Sequence, residues 1–269
     1  MVNPQARLDL AENEIHVWMI NPQQIKASEE IYALLNSEEQ NKVARYRLDK
    51  AKHTALITRA FIRLLLSQYT AVKPQQWQFS VSKLGKPEIS NSPLPLRFNL
   101  SHNNELIICA LTLSKDIGCD IENLGRKINI EAITKRFFSP SEYQLIKANP
   151  SQFFQYWTLK EAFVKATGLG ISQGLDTFSF EIHKPNSKDC HDNISLLFNE
   201  KCQEETPQNW YHRLLFPDDK HCIALSINNK KRQIKNQLSA YSQKLKGNYY
   251  LTVDRRRCLD KVLISTCNI

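Results

Sequence analysis

No stretch of this sequence approaches the ~20 consecutive apolar residues that a membrane span needs, so a membrane-embedded role is not expected. Met1-Val2-Asn3-Pro4-Gln5 lacks the basic-then-apolar pattern of a signal peptide. The seven cysteines are odd in number and include no C-x-x-C, so they form no recognisable disulfide framework. A reducing cytoplasm is the expected location. Walker A, G-x-G-x-x-G and an ordered Ser-His-Asp set are missing as well. Cys190-His191, Cys202 and His221-Cys222 are too loosely spaced for a zinc site. Acid is scarce in one region only. Between Asn229 and Arg257 the nine basic residues Lys230, Lys231, Arg232, Lys235, Lys244, Lys246, Arg255, Arg256 and Arg257 face a single acid, Asp254. Nearly all of the +9 net charge therefore belongs to the last segment, and the body is close to neutral. The segment 229–269 is expected to be a solvated basic extension, with contact to an acidic partner as the alternative.

What is present is an ordinary globular composition, 42% hydrophobic and 23% charged. At 269 residues the chain can form one large domain or two small ones. Glu14 to Ile20 alternates as a strand should. Ser37 and Gln40 have capping-box spacing ahead of a long helical pattern, Glu38 to about Tyr69. Trp77 to Val81, Leu106 to Leu113 and Ile117 to Glu122 read as strands. Ser139 and Glu142 form a second capping box, with Pro140 at the first helical position. That helix should stop near Asn149-Pro150. Ser151 is placed to cap the next one, which ends at Gly168. Thr177 to His183, Ile194 to Phe198, Tyr211 to Phe216 and Cys222 to Ile227 complete a set of later strands. Strands and helices recur in each half, which fits a duplicated α+β architecture.

Two strings carry the chemistry. In Gly118-Cys119-Asp120-Ile121-Glu122 the two acids are two residues apart on a strand, so both point to one face. Carboxylates this close repel unless a cation joins them, and a hard ion such as Mg²⁺ suits them. Alone, D-x-E is common on exposed strands. The second string supplies the discrimination: Phe153, Trp157, Glu161 and Lys165 recur at i+4 on one helix face. Glu161 thus projects from an aromatic stripe, either as a partner for Lys165 or as a third ligand or general base. Ser101 and His102, at the end of Phe98-Asn99-Leu100-Ser101-His102, can bind phosphate oxygens, although a lone histidine is more often structural.

Taken in order, these strings resemble the 4′-phosphopantetheinyl transferases of the long, surfactin-activator type. G-x-D-x-E at 118–122 and W-x-x-K-E-A-x-x-K at 157–165 are joined by Gly85-Lys86-Pro87, F-N-L-S-H at 98–102, Arg136 to Tyr143, and Gly168 to Ser172. The resemblance implies a monomer of two similar α+β halves related by a pseudo-twofold, with the active site and coenzyme A in the cleft between them. The halves would be residues 14–115 and 116–228. It implies transfer of the phosphopantetheine arm of coenzyme A to a serine of an acyl or peptidyl carrier protein. Asp120, Glu122 and Glu161 would hold Mg²⁺ on the coenzyme A pyrophosphate. Glu161, or a water held by the acids, would deprotonate the serine. Lys165 would steady the phosphate under attack, and His102, Ser101 and Lys86 would contact the cofactor.

The chain departs from the pattern at the adenosine end. Glu39 and Thr54 stand where basic residues are frequent in the family, which leaves Lys42, Arg45, Lys52 and His53 as the candidate cofactor contacts there. The inventory of D-x-E, a distant Glu and a Lys also fits an Mg²⁺-dependent nuclease. Helical spacing between Glu161 and Lys165 argues against that alternative, so nucleic acid is not the expected partner.

Overall fold

Strands buried on both faces decide how the two halves meet. The computed structural model describes residues 7–184, 190–202 and 206–229, and the backbone of 261–266. The N-terminal half contains β1 (Glu14–Ile20), the short α1 (Glu29–Tyr32), α2 (Ser37–Ala44), α3 (Asp49–Leu66), the hairpin of β2 (Phe79–Val81) and β3 (Pro87–Ile89), β4 (Leu96–His102) and β5 (Ile107–Leu113). The C-terminal half contains β6 (Ile117–Asn123), α4 (Ile130–Phe137), α5 (Pro140–Ala148), α6 (Phe153–Thr167), β7 (Phe178–Ile182), β8 (Cys190–His191), β9 (Ile194–Phe198), β10 (Trp210–Leu215) and β11 (His221–Asn228). A last strand, β12 (Lys261–Thr266), pairs in parallel with β1. The main sheets run β12-β1-β5-β4 and β6-β11-β10-β8. Among the described residues no helix is long and apolar enough to cross a membrane.

Period-two side-chain alternation stacks these sheets. Ile107, Cys109 and Leu111 of β5 pack on Ile57, Phe61 and Leu65 of α3. Their neighbours Ile108 and Ala110 turn the other way and meet Ile117, Cys119 and Ile121 of β6 in a core shared by both sheets. The layer order is therefore α3, sheet, sheet, α6. Leu159 and Phe163 of α6 cover Leu214 and Ala224 on the outer face of the second sheet. Each fully buried Leu, Ile or Phe among them contributes about 1.5–3 kcal/mol.

Because Ile117, Cys119 and Ile121 face inward, Gly118, Asp120 and Glu122 face α6. A Cβ at Gly118 would lie 2.0 Å from the Ala162 carbonyl oxygen and 2.4 Å from the Ala166 nitrogen. Only glycine lets the helix sit this low on the strand. Gly118→Ala is expected to destabilise the fold by about 3 kcal/mol, at the upper end of overpacking costs, and chemical denaturation checks it. At the junction of the sheets, side chains replace a backbone ladder. Asn99 Oδ1 accepts the Cys119 N–H at 2.9 Å, and Ser101 Oγ accepts the Ile121 N–H at 3.4 Å.

Several local expectations need correction. The helix expected from Glu38 to Tyr69 is two helices, separated by residues 45–48. Its cap is Asn36 rather than Ser37: Asn36 Oδ1 accepts the Glu39 N–H, and Glu39 reaches back to the Asn36 N–H. Ser37 has already entered the helix, and Gln40 instead donates to the Tyr32 and Leu35 carbonyls. Ser151 caps nothing; it lies in a 3-10 turn, Pro150–Gln152, that leads into α6. The Ser139 capping box forms as expected, and Gly168 ends α6 at φ 74°. Helix α4 and strand β12 were not anticipated. The nine basic residues of 230–257 lie outside the described residues.

Candidate active site

The end of β6 and the last two turns of α6 carry the charged groups. Lys165 Nζ donates to Asp120 Oδ1 at 2.6 Å and to Ser101 Oγ at 3.1 Å. Ser101 Oγ donates to the same Asp120 oxygen at 2.7 Å. Lys165 therefore partners Asp120 across the strand–helix interface rather than Glu161 one turn back. The reason is burial: Asp120 is enclosed, and a lone enclosed carboxylate costs far more than a partly open one. Glu122, also enclosed, is held by Arg126 Nη1 at 3.1 and 2.9 Å from its two oxygens. Glu161 accepts no hydrogen bond from any described residue.

Crowding of acids shows in their proton affinities. Burial and then the charge of Asp120 raise the Glu122 pKa, with Arg126 and a hydrogen bond from the Trp157 indole opposing them. Burial and Asp120 also raise Glu161, against the pull of Lys165. For Lys165, burial works against the charge, but Asp120, Cys119 and Glu161 outweigh it and the pKa rises, so the ammonium stays charged. The His102 pKa is lowered by burial of part of the ring and by the charges of Lys165 and Arg59.

Ser101, His102, Asp120, Glu122, Arg126 and Lys165 open on a cleft of about 730 Å³, and Glu161 is not among the residues that line it. The end of β4 with the loop after it lines one wall, and Asp120, Glu122, Arg126 and Lys165 line the other. Among the described residues no three His, Cys, Asp or Glu side chains already stand as a metal cage. The donor chemistry nevertheless suits a hard divalent ion. Among the described residues one Asp120 oxygen and both Glu161 oxygens accept no hydrogen bond, and Glu122 and Glu161, raised in pKa by burial and then by the Asp120 charge, are acids whose ionised form a dication would favour.

Other expected contacts lie elsewhere. Lys86 Nζ donates to the Ala166 carbonyl at 2.8 Å, tying the β2–β3 hairpin to the end of α6. Lys42 is exposed and pairs with Glu38 at 2.7 Å. Arg45, just past the end of α2, and Lys52, on α3, are exposed, and neither lines the cleft. His53 is spent on the Pro22 carbonyl at 2.8 Å. Glu39 faces the buried Arg63 at 2.7 Å and is structural. Lys160, inside the second string, is likewise structural, paired with Glu142 at 2.8 Å. Sequence reasoning passed over Arg126, which sits in a turn without periodicity, and the Trp157 indole as a donor.

The same order of elements is found in known proteins. Residues 18–114 match the model of the 4′-phosphopantetheinyl transferase N-terminal domain, and residues 116–226 match that of the 4′-phosphopantetheinyl transferase superfamily. The chain is 32% identical over 225 residues to the 4′-phosphopantetheinyl transferase HetI of Nostoc, covering 81% of this chain and 88% of that protein. It is 33% identical over 173 residues to the Sfp transferase of Bacillus subtilis, covering 62% of this chain and 75% of that one. A phosphopantetheinyl transferase of Thraustochytrium is 26% identical over 210 residues, covering 72% of this chain and 70% of its own. The nuclease alternative has no such support. With both halves matched and a relative covered along most of its length, the chain belongs to the 4′-phosphopantetheinyl transferase superfamily and is a transferase of the Sfp type that makes holo-carrier proteins.

Proposed function

We propose that the cleft between the halves binds coenzyme A with its pyrophosphate beside Asp120, Glu122 and Glu161, and that these three acids hold Mg²⁺ there. The observation that carries this reading is the meeting of Asp120 with Lys165 at 2.6 Å on the wall of that cleft, with unpartnered Glu161 one helical turn away. A bound Mg²⁺ would neutralise charge on the phosphate oxygens. Glu161, which accepts no hydrogen bond from a described residue and is raised in pKa, takes the proton from the carrier serine hydroxyl. The serine oxygen then forms its bond to the pantetheine-bearing phosphorus as the bridging P–O bond breaks, and adenosine 3′,5′-bisphosphate leaves. Lys165 remains an ammonium and stabilises charge on that phosphorus. Ser101 holds Lys165 and Asp120 in register.

At the adenosine end, the charge of Arg59 acts on His102, and Arg59 joins Lys52 and His53 as a candidate for the cofactor contact there. Lys42, Arg45 and Lys86 are at most peripheral to the cofactor. We further read 14–115 and 116–228 as the two halves, a monomer as the working state and the cytoplasm as its compartment. The carrier belongs to a fatty acid, polyketide, polyunsaturated fatty acid or peptide synthase, with promiscuity across these classes.

The test is intact-mass analysis of apo-carriers of these classes incubated with coenzyme A and Mg²⁺. Gain of one phosphopantetheine supports the reading, and no gain on any carrier removes it. A pH dependence also follows. Between the ordinary carboxylate pKa and the raised values of Glu122 and Glu161, the folded protein binds more protons than the unfolded chain. In that window the two acids make the ion-free protein less stable as pH rises. Divalent-ion affinity runs the other way: it rises with pH, and binding releases protons. Titration calorimetry in buffers of different ionisation heat measures that release.

A further inference from the structure

Arg126 belongs to none of the sequence strings, and the transfer described above gives it no role. It sits in the turn after β6, where the Gly125 N–H bonds Asn123 Oδ1 at 2.8 Å and the Arg126 N–H bonds the Asn123 carbonyl at 3.1 Å. That turn folds the side chain back onto the strand. A single nitrogen, Nη1, then spans both oxygens of Glu122, at 3.1 and 2.9 Å. The Glu122 side chain is only 10% exposed, whereas that of Arg126 is 49% exposed. The acid is thus covered by a cation whose other side is already in water, and such pairs exchange readily. Asp120 is covered in parallel by Lys165. With an internal cation on each strand acid, the three carboxylates do not gather into a cage among the described residues.

We infer that Arg126 is the exchangeable counter-cation of Glu122: it closes this carboxylate while no divalent ion is bound, and it swings out to solvent before Glu122 coordinates one. The inference rests on the metal reading of Asp120, Glu122 and Glu161. Its consequence is a built-in competition, in which the protein's own guanidinium lowers the apparent affinity for the ion and entry of the ion turns a cation out at the cleft mouth. Lys165 cannot take this part, because it is more enclosed and is held by Ser101 as well as by Asp120.

The experiment measures Mn²⁺ binding by the electron paramagnetic resonance signal of the free ion, with the full chain and without coenzyme A or carrier. Arg126→Gln is expected to bind Mn²⁺ about fivefold more tightly than the wild type, the gain set by removing a partly exposed ion pair. Arg126→Lys, which keeps the charge but replaces the rigid planar guanidinium with a flexible, more strongly hydrated ammonium, is expected to fall between the two. A second readout is adduct formation at Arg126 with phenylglyoxal, followed by peptide mass analysis of the wild type; Mg²⁺ should accelerate it. Unchanged or weaker Mn²⁺ binding by folded Arg126→Gln, or slower adduct formation with Mg²⁺, overturns the inference. If the wild type binds Mn²⁺ and Asp120→Asn does not, yet Arg126→Gln equals the wild type, the inference alone falls. If neither wild type nor Arg126→Gln binds the ion while both are folded, the metal reading falls with it.

Discussion

Asp120→Asn is expected to lower turnover by about 10³-fold, the loss typical of removing one electrostatic stabiliser from a preorganised site, and to lower stability as well. Both effects come from the same atoms. Asparagine still accepts the Ser101 hydrogen bond, but it leaves the Lys165 ammonium, only 29% exposed, beside a dipole instead of a charge. Breaking one side of an enclosed pair costs about 3 kcal/mol or more. The two effects separate in Asp120→Asn/Lys165→Met. This double variant removes the stranded cation, so it should regain most of the unfolding midpoint while turnover stays lost. Denaturant melts and carrier-modification rates on the three proteins test this. Turnover of Asp120→Asn within tenfold of the wild type would remove Asp120 from the chemistry.

The largest effect on stability is expected one helix position before Glu161. Lys160 is completely buried and donates to Glu142 at 2.8 Å, to the Leu175 carbonyl at 2.8 Å and to the Phe178 carbonyl at 2.7 Å. Its ammonium also lies 4.4 Å from the centre of the Phe178 ring. Glu142 in turn accepts the Ser139 and Phe180 N–H groups at 3.1 and 3.0 Å. One charge pair thereby fastens α5, α6 and β7 together. Lys160→Met leaves a buried carboxylate without its cation and is expected to cost about 3–5 kcal/mol. Glu142→Gln should cost a similar amount. Lys160 does not line the cleft, so whatever Lys160→Met protein remains folded should modify carrier at close to the wild-type rate. A large loss of turnover in fully folded Lys160→Met would show that Lys160 serves the reaction directly.

The face that carries the candidate site was legible in the sequence because it depends on two periods. Alternation placed Gly118, Asp120 and Glu122 on one face of β6, and four-residue spacing placed Phe153, Trp157, Glu161 and Lys165 on one face of α6. Gly118 brings those faces together, since the helix carbonyl occupies the space a Cβ would need. Pairing within the site was not legible. Lys165 is one turn from Glu161, and only the tertiary contact reveals Asp120 as the stronger partner. Arg126 reaches Glu122 through a turn, which leaves no periodic signal. The adenosine end was read from position alone, and position does not show what a side chain already holds: His53 bonds the Pro22 carbonyl, and Glu39, the departure from the family's basic pattern, pairs with Arg63. The break at residues 45–48 escaped because the residues on both sides favour helix. β12 escaped because its partner, β1, lies at the other end of the chain.

The convergence of Asp120, Glu122 and Glu161 on one ion is tested most directly by Mn²⁺ titration in the presence of coenzyme A. One ion per wild-type chain is predicted, with affinity sharply reduced in each of Asp120→Asn, Glu122→Gln and Glu161→Gln. Equal Mn²⁺ affinity in the wild type and all three variants would contradict the account.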